Sequence, residues 1–452
     1  MPDRSVQPTP ATLEKPALAG FAWVATLLIV ASLGVRQVVM FLRFPHKDVE
    51  IYYDAAMALR NGEDMFAAFG QAPLTYIYPP LLAIVFLPLT LLELNHAAAV
   101  WGVLNVLLLL GCLWLGGRLL IDRFDARTDS ATLPVLMLVT TLVFIGRIEA
   151  EFDQGQVDFI VLFGVLCALA LFRDRPFLAG CLLGIVANIK YQTVVFLPYF
   201  VLRGWMRAAL GLVSTSILVA LSGSLVIGWD LNLDYLARSF SSLGGLFGLP
   251  PTDGPMPFIF PVHWSESISL TSVFARWTGG ADSDPTFLYL LVGLAAFACF
   301  LVGWAIHILA GRQLFRGRSG RSGRVKDRFQ PLIAMEWIGL LVAALAFAPQ
   351  TKMRHLALLL LMVMLMVLFL IAGQKRVRRL PVLLVLLAMS LLLVLPASVS
   401  PEANLARKAF RSSGVPMAGI LIAFYVMFWS GLTWRDRPDV SDPGAGAVRS
   451  DR

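Results

Sequence analysis

Apolar runs of roughly 20 residues recur along almost the whole chain, the length a helix needs to cross the hydrocarbon of a bilayer. The first, Ala17–Leu42, is too long for a signal-peptide core and has no small-residue cleavage site behind it, so it reads as a first membrane helix. Further runs fall at 97–121, 131–147, 157–172, 177–203, 207–229, 286–311, 331–349, 353–372, 380–396 and 415–434. Two stretches resist a clean assignment. "PPLLAIVFLPLTLL" at Pro79–Leu92 is short for a crossing, and 177–203 carries Asn188, Lys190 and Gln192 near its middle, fitting one tilted helix or two short ones. The pattern predicts an all-α polytopic membrane protein with a bundle of about 12 or 13 crossings. Its body covers 17–434, between polar cytoplasmic tails at 1–16 and 435–452.

Composition strengthens this reading. Of 452 residues, 58% are hydrophobic and 15% charged, against about 45–50% and 25% in soluble domains. The mean hydropathy is +0.75. Secreted, nuclear and cytosolic enzymes are thereby disfavoured. Cys112, Cys167, Cys181 and Cys299 all lie inside apolar runs, as small buried hydrophobes rather than a disulfide framework or metal site. No CxxC, HExxH, GxxxxGK[ST] or GxGxxG motif supplies a soluble catalytic module.

The formal net charge of +8 would suggest nucleic acid in a soluble protein. Here the cations fall in gaps between apolar runs, where they set orientation, and no nucleic-acid partner is expected. "RQLFRGRSGRSGRVKDR" at 312–328 holds seven basic residues and one acidic, and "QKRVRR" at 374–379 is a second block, so both are expected in the cytoplasm. Residues 43–78, 230–285 and 397–414 then lie outside. If 79–92 does not cross, the basic gap with Arg118, Arg123 and Arg127 is also inside and 177–203 makes two short crossings. If it does cross, 177–203 crosses once. Charge favours the first arrangement, and both put loops 43–78 and 230–285 on one non-cytoplasmic face of the cell membrane.

The first of those loops is where chemistry is expected. From Asp48 to Leu59, apolar and polar residues alternate at helical spacing until Asn61–Gly62 supplies a stop, which predicts a short interfacial helix. Asp48 stands at its start, either as a helix cap or as a catalytic carboxylate. Glu50 and Asp54, four residues apart, are either a solvated pair or a site for a hydroxylated substrate or a divalent ion. No cofactor is assigned. Tyr52, Tyr53, Tyr76 and Tyr78 form either a wall beside a sugar or headgroup or an interfacial anchor.

Further polar groups flank or interrupt the apolar runs. "GRIEAEFDQGQVDFIVLFG" leads polar residues from Arg147 to Asp158 directly into hydrocarbon, with Gly155 at the entry and Gln156 and Asp158 as candidate pocket residues. Lys190 must snorkel, pair with a carboxylate or enter a polar cavity, where it is a candidate phosphate ligand. Lys352, Arg354 and His355 form a basic group on the outer face, against the usual bias, for which an anionic ligand or snorkelling accounts. In 230–285, the proline-rich "FGLPPTDGPMPFIFPVHW" suits an irregular loop or membrane-skimming lid, with His263 and Trp264 as candidate substrate contacts.

Taken in order, "DVEIYYDAAMALRNG", "YIYPPL", "GQVDFIVLF", "GIVANIKYQ" and "KMRHLALLL" resemble the integral-membrane glycosyltransferases of the GT-C superfamily. They resemble in particular glycosyltransferase family 87, the polyprenyl-phosphate-mannose-dependent mannosyltransferases. The resemblance implies a GT-C-like helical bundle and a catalytic base in the first non-cytoplasmic loop, at Asp48. It implies a polyprenyl-phosphate sugar donor with its phosphate near Lys190, Lys352, Arg354 and His355, and a lipid or glycan acceptor. The large loop at 230–285, which carries His263 and Trp264, looks like part of the substrate-enclosing region, while Glu50, Tyr53, Asp54, Tyr78, Gln156 and Asp158 are the further substrate-binding candidates from the residues themselves. Mannose rests on the resemblance alone. A transporter or flippase for a lipid-linked saccharide is the alternative, and would be favoured by an inverted repeat. A noncatalytic membrane scaffold is a second rival.

Overall fold

The computed structural model describes residues 14–44, 47–66, 76–126, 129–245, 259–310, 330–372, 381–386, 388 and 401–433. The tail expected at 435–452, all but 14–16 of the tail expected at 1–16, the two basic blocks and most of the run at 380–396 lie outside the described residues, and 14–16 belong to the first helix. The described chain is helical throughout. Among the described residues, seven helices are long and apolar enough to cross a membrane: Pro16–Arg43, Leu94–Arg123, Thr132–Gln154, Met206–Ile227, Pro285–Leu309, Met353–Ile371 and Val415–Leu432. Five shorter apolar helices accompany them, at Pro80–Leu91, Asp158–Phe172, Pro176–Ala187, Tyr191–Leu202 and Gln330–Ala346.

In chain order, α1 is Glu14–Arg43, α2 Lys47–Asn61, α3 Pro80–Phe86, α4 Leu94–Arg123, α5 Thr132–Gln154, α6 Asp158–Phe172 and α7 Pro176–Ala187. Then follow α8 (Phe196–Leu202), α9 (Met206–Ser222), α10 (Ser224–Ile227), α11 (Trp229–Gly245), α12 (Leu270–Trp277), α13 (Pro285–Leu309) and α14 (Gln330–Ala346). The series ends with α15 (Leu360–Ile371), α16 (Pro401–Ser412) and α17 (Val415–Leu432). Tight 3-10 turns at Leu87–Leu91, Tyr191–Val195 and Met353–Leu359 extend α3 and lead into α8 and α15.

The centre of the bundle is α15 with the turn before it. From Leu356 to Phe369 the side chains are buried on every side, as a helix apolar all round its circumference should be. By contrast α13 turns Phe287, Leu290, Leu294, Phe297 and Trp304 outward, the surface expected against lipid tails. The closest helix crossing joins α7 to α9. A Cβ on Gly180 would come within 2.1 Å of Ala208 O, and one on Gly211 within 2.2 Å of Phe177 O. Gly180 and Gly184 are four apart on one face, the small-residue spacing that lets backbones touch in a membrane.

Three expectations are sharpened or corrected. The apolar run at 177–203 is two helices with a break at Asn188–Lys190. Asn188 Nδ2 donates to Gly184 O and Ser216 O, both at 3.0 Å, and Lys190 is extended, which stops α7. The 131–147 helix does not end at the acidic stretch but runs on to Gln154. Residues four apart there share faces: Arg147 and Glu151 turn inward, while Glu149 and Asp153 meet Arg36 of α1 at 3.4 and 3.2 Å. Loop 230–285 carries α11 and α12 on either side of its proline-rich stretch, of which 247–258 lies outside the described residues. Pro79–Leu92 is a short helix and a 3-10 turn, spanning about 20 Å by helical rise against about 30 Å of hydrocarbon.

Candidate active site

The helix expected from Asp48 to Leu59 is present as α2, and it ends as expected, with Gly62 at φ 73° and Glu63 N–H bonded to Ala58 O at 2.8 Å. Asp48, in its first turn, is only 5% exposed. Its Oδ2 accepts from Gln156 Nε2 and lies 3.0 Å from Arg354 Nη2. Among the described residues no hydrogen bond reaches Oδ1. Burial pushes the Asp48 carboxyl above its ordinary value, and Arg354, then Lys352 and Lys190, pull it part of the way back.

The α5–α6 turn is held against the base of α2. Gly155 closes α5 in the left-handed conformation, at φ 63°, and a Cβ there would sit 2.8 Å from Val49 Cβ. Trp101 Nε1 donates to Gly155 O at 2.8 Å. The turn thereby delivers Gln156 to Asp48. Gln156 Oε1 accepts from Lys190 Nζ at 3.1 Å and from Tyr52 Oη at 3.3 Å. Lys190 pairs with Asp158 Oδ1 at 2.5 Å, both side chains being buried, so of the three sequence alternatives its ammonium meets a carboxylate.

The opposite wall comes from the link between α14 and α15. Ile268 N–H donates to Thr351 O at 2.8 Å, Thr351 N–H to Ser267 Oγ at 3.0 Å, and Ser272 Oγ to Pro349 O at 2.9 Å. These buried hydroxyls satisfy backbone groups that leave α14, and they fix the segment carrying Lys352, Arg354 and His355. Lys352 Nζ lies 4.9 Å from the Phe260 ring centre and 4.6 Å from that of Trp264, the two rings being stacked at 4.3 Å. Burial and the Arg354 charge lower the Lys352 ammonium to about 8. Arg354 Nη1 donates to Gln154 Oε1 at 3.1 Å, so one guanidinium joins α5 to Asp48.

Between these walls is a cavity of about 540 Å³. Asp48, Tyr52, Tyr78, Gln156, Lys190, Lys352, Arg354 and His355 all line it, so the structure brings together eight of the candidate residues singled out in the sequence. Val195, Leu243, Ala343, Ala344 and Phe347 make the rest largely apolar. Asp158 lies behind Lys190, and Trp264 lies behind Lys352; neither lines the cavity. Tyr53 donates instead to Leu92 O at 2.7 Å, and Glu50, Asp54 and His263 are not in the lining. Burial and then Glu50 raise the Asp54 carboxyl to about 6. Among the described residues no group of three or more His, Cys, Asp or Glu is placed to hold a metal ion.

Sequence reading missed Gln350 as a member of this site, and gave Phe260 and Gln154 no individual role. Phe260 and Trp264, four residues apart in "FIFPVHW", carried the signal for the aromatic shelf. Gln154 stood in the polar stretch beyond the apolar run at 131–147, and its contact follows from α5 remaining helical through that stretch.

The model of glycosyltransferase family 87 matches residues 76–322. A polyprenol-phosphate-mannose-dependent alpha-(1-2)-phosphatidylinositol mannoside mannosyltransferase of Mycolicibacterium smegmatis (strain ATCC 700084 / mc(2)155) is 26% identical over 318 residues, covering 66% of this chain and 63% of that protein. A polyprenol-phosphate-mannose-dependent alpha-(1-2)-phosphatidylinositol pentamannoside mannosyltransferase of the same organism is 30% identical over 268 residues, or 57% and 60% of the two chains. A protein of the latter description from Mycobacterium tuberculosis (strain CDC 1551 / Oshkosh) is 26% identical over 334 residues, covering 72% and 68%. The chain thus spans 63% and 60% of the length of the two Mycolicibacterium relatives. No solved structure gives a significant match. The family match takes in more than half of the sequence, and this multi-pass membrane protein belongs to glycosyltransferase family 87.

Proposed function

We propose that the chain transfers mannose from a polyprenyl-phosphate donor to a hydroxyl of a lipid-linked or cell-envelope glycan acceptor, inverting the anomeric carbon. The observation that carries this reading is a single cavity in which the buried Asp48 carboxylate meets Arg354, with Lys352 and His355 lining the same space. Its relatives are polyprenol-phosphate-mannose-dependent mannosyltransferases of phosphatidylinositol mannosides, which supports this donor and makes a phosphatidylinositol mannoside the first acceptor to try.

In this reading the acceptor oxygen attacks the anomeric carbon while its proton passes to Asp48. The bond from that carbon to the phosphate oxygen breaks, and the polyprenyl phosphate leaves with its charge held by Lys352 and Arg354. One displacement inverts the centre. The apolar side of the cavity, with Leu243, Ala343, Ala344 and Phe347, suits the prenyl chain. Tyr78 and His355 are the polar contacts available to the sugar. Lys190, already paired with Asp158, is left to support the wall rather than to receive the phosphate. We further infer a bundle of about 12 crossings, with the shorter apolar helices completing the seven long ones and the cavity opening to the non-cytoplasmic side.

The test uses purified protein in nanodiscs with labelled polyprenyl-phosphate mannose and phosphatidylinositol mannosides. Transfer by the wild type, lost in Asp48→Asn at unchanged thermal stability, is the expected result. Transfer that survives the substitution overturns the role of Asp48. Movement of the labelled lipid between leaflets with no glycosylated product would favour a flippase instead.

A further inference from the structure

Glu151 and Asp158 are fully buried and neither lines the cavity, yet both connect to the proposed base. Glu151 Oε1 accepts the Asp158 backbone N–H at 2.7 Å, in the first turn of α6. Asp158 Oδ1 holds Lys190 Nζ at 2.5 Å, and Lys190 donates onward to Gln156 Oε1 at 3.1 Å. Tyr52 Oη donates to the same Gln156 oxygen at 3.3 Å.

These contacts decide which way the Gln156 amide points. With Oε1 held by an ammonium and a phenol, the NH2 end is turned to Asp48 Oδ2. The reverse orientation sets the amide oxygen against a carboxylate and its NH2 group against an ammonium, and both contacts are repulsive. Asp48 Oδ2 therefore faces donors only, from Gln156 and from Arg354, and has no room for a proton.

We propose that Gln156 is a positioning residue for Asp48, set by the buried Glu151–Asp158–Lys190 relay, and that Asp48 Oδ1 is the oxygen that takes the acceptor's proton. This rests on the reading of Asp48 as the base. As the new carbon–oxygen bond forms and the bond to phosphate oxygen breaks, the proton settles on Oδ1 and the carboxyl becomes neutral. Oδ2 remains an acceptor, so the Gln156 and Arg354 hydrogen bonds persist through the transfer. The relay holds the base still without touching sugar or phosphate.

The test compares Gln156→Glu, Gln156→Met and Asp48→Asn in the full chain in nanodiscs, supplied with labelled polyprenyl-phosphate mannose. Gln156→Glu sets a second carboxylate against Oδ2, and the acidic limb of the kcat profile is expected to move up by at least about one pH unit. Gln156→Met is expected to lower kcat about 100-fold with the donor KM within about threefold of wild type. Gln156→Glu keeps the size of the side chain and carries the test if Gln156→Met does not fold. A raised KM with kcat and the acidic limb unmoved would make Gln156 a substrate contact. A lowered kcat with an unmoved limb in Gln156→Glu would be a packing effect. Either outcome overturns the proposal while an inactive Asp48→Asn leaves the base reading standing. An active Asp48→Asn removes the base reading itself.

Discussion

Arg354 Nη2 stands 3.0 Å from Asp48 Oδ2, so the group expected to leave as an anion and the group expected to take a proton share one guanidinium. Arg354 is the strongest of the charges that hold the Asp48 carboxyl down against burial. The sign follows directly. If Asp48 is the base, activity needs its carboxylate, falls as pH drops through the raised value, and falls at a higher pH once Arg354 is gone. Arg354→Gln is therefore expected to shift the acidic limb of kcat upward and to raise the donor KM, both read from pH-dependent transfer kinetics. A limb that stays in place would separate the two residues functionally.

Lys352 gives the opposite limb. Its ammonium is lowered to about 8, so its charge is present below that pH and lost above it. If it receives the donor phosphate, the donor KM should climb as pH passes about 8. Lys352→Arg, whose guanidinium stays protonated, should flatten that rise. Lys352→Gln should show a high KM at every pH. A donor KM in the wild type independent of pH between 7 and 9, about one unit either side of that value, would disconnect Lys352 from the phosphate.

Gly155 is constrained twice, by its left-handed backbone and by the 2.8 Å approach of Val49 to a would-be Cβ. Gly155→Ala is expected to destabilise the protein by at least about 2 kcal/mol, adding backbone strain to overpacking. Thermal unfolding in detergent measures this. An unchanged midpoint would mean that the α5–α6 turn moves freely away from α2.

The α7–α9 crossing makes a separate claim about assembly. Gly180→Leu should force the helices apart at Ala208 and lower the yield of folded protein, whereas Gly293→Leu, on the open face of α13, should not. Size-exclusion profiles of the two variants decide it. Comparable monodisperse yields would show that the crossing tolerates the side chain.

Much of this molecule is legible in its sequence because a membrane helix advertises itself by length and apolarity. Ala17–Leu42 becomes α1 within a few residues, and the stop at Asn61–Gly62 ends α2 where expected. The acidic stretch from Arg147 to Gln154 was less readable, because its charges look like a loop until their spacing of four is matched to Arg36 outside and Asp158 inside. Asp48, Gln156, Lys190 and Arg354 were each recognisable as polar groups out of place. Their partners were not, since the choice of Asp158 for Lys190, or of Gln156 for Asp48, is made by tertiary packing around Gly155 and Trp101. Glu50, Tyr53 and Asp54 illustrate the converse: they are near Asp48 in sequence, yet α2 turns them away from the cavity.

The pairing of Asp48 with Arg354 also bears on how the protein is made. One partner is in the second helix of the chain and the other in the segment before α15, the helix at the centre of the bundle. Until α14 and α15 have entered the membrane, Asp48 has no guanidinium beside it and the bundle has no middle. Such long-range closure is intrinsically slow. Ribosome-bound chains that stop before α14 should therefore hold their early helices in an open, exchange-competent arrangement, and the cavity beside Asp48 should be among the last features of the protein to mature.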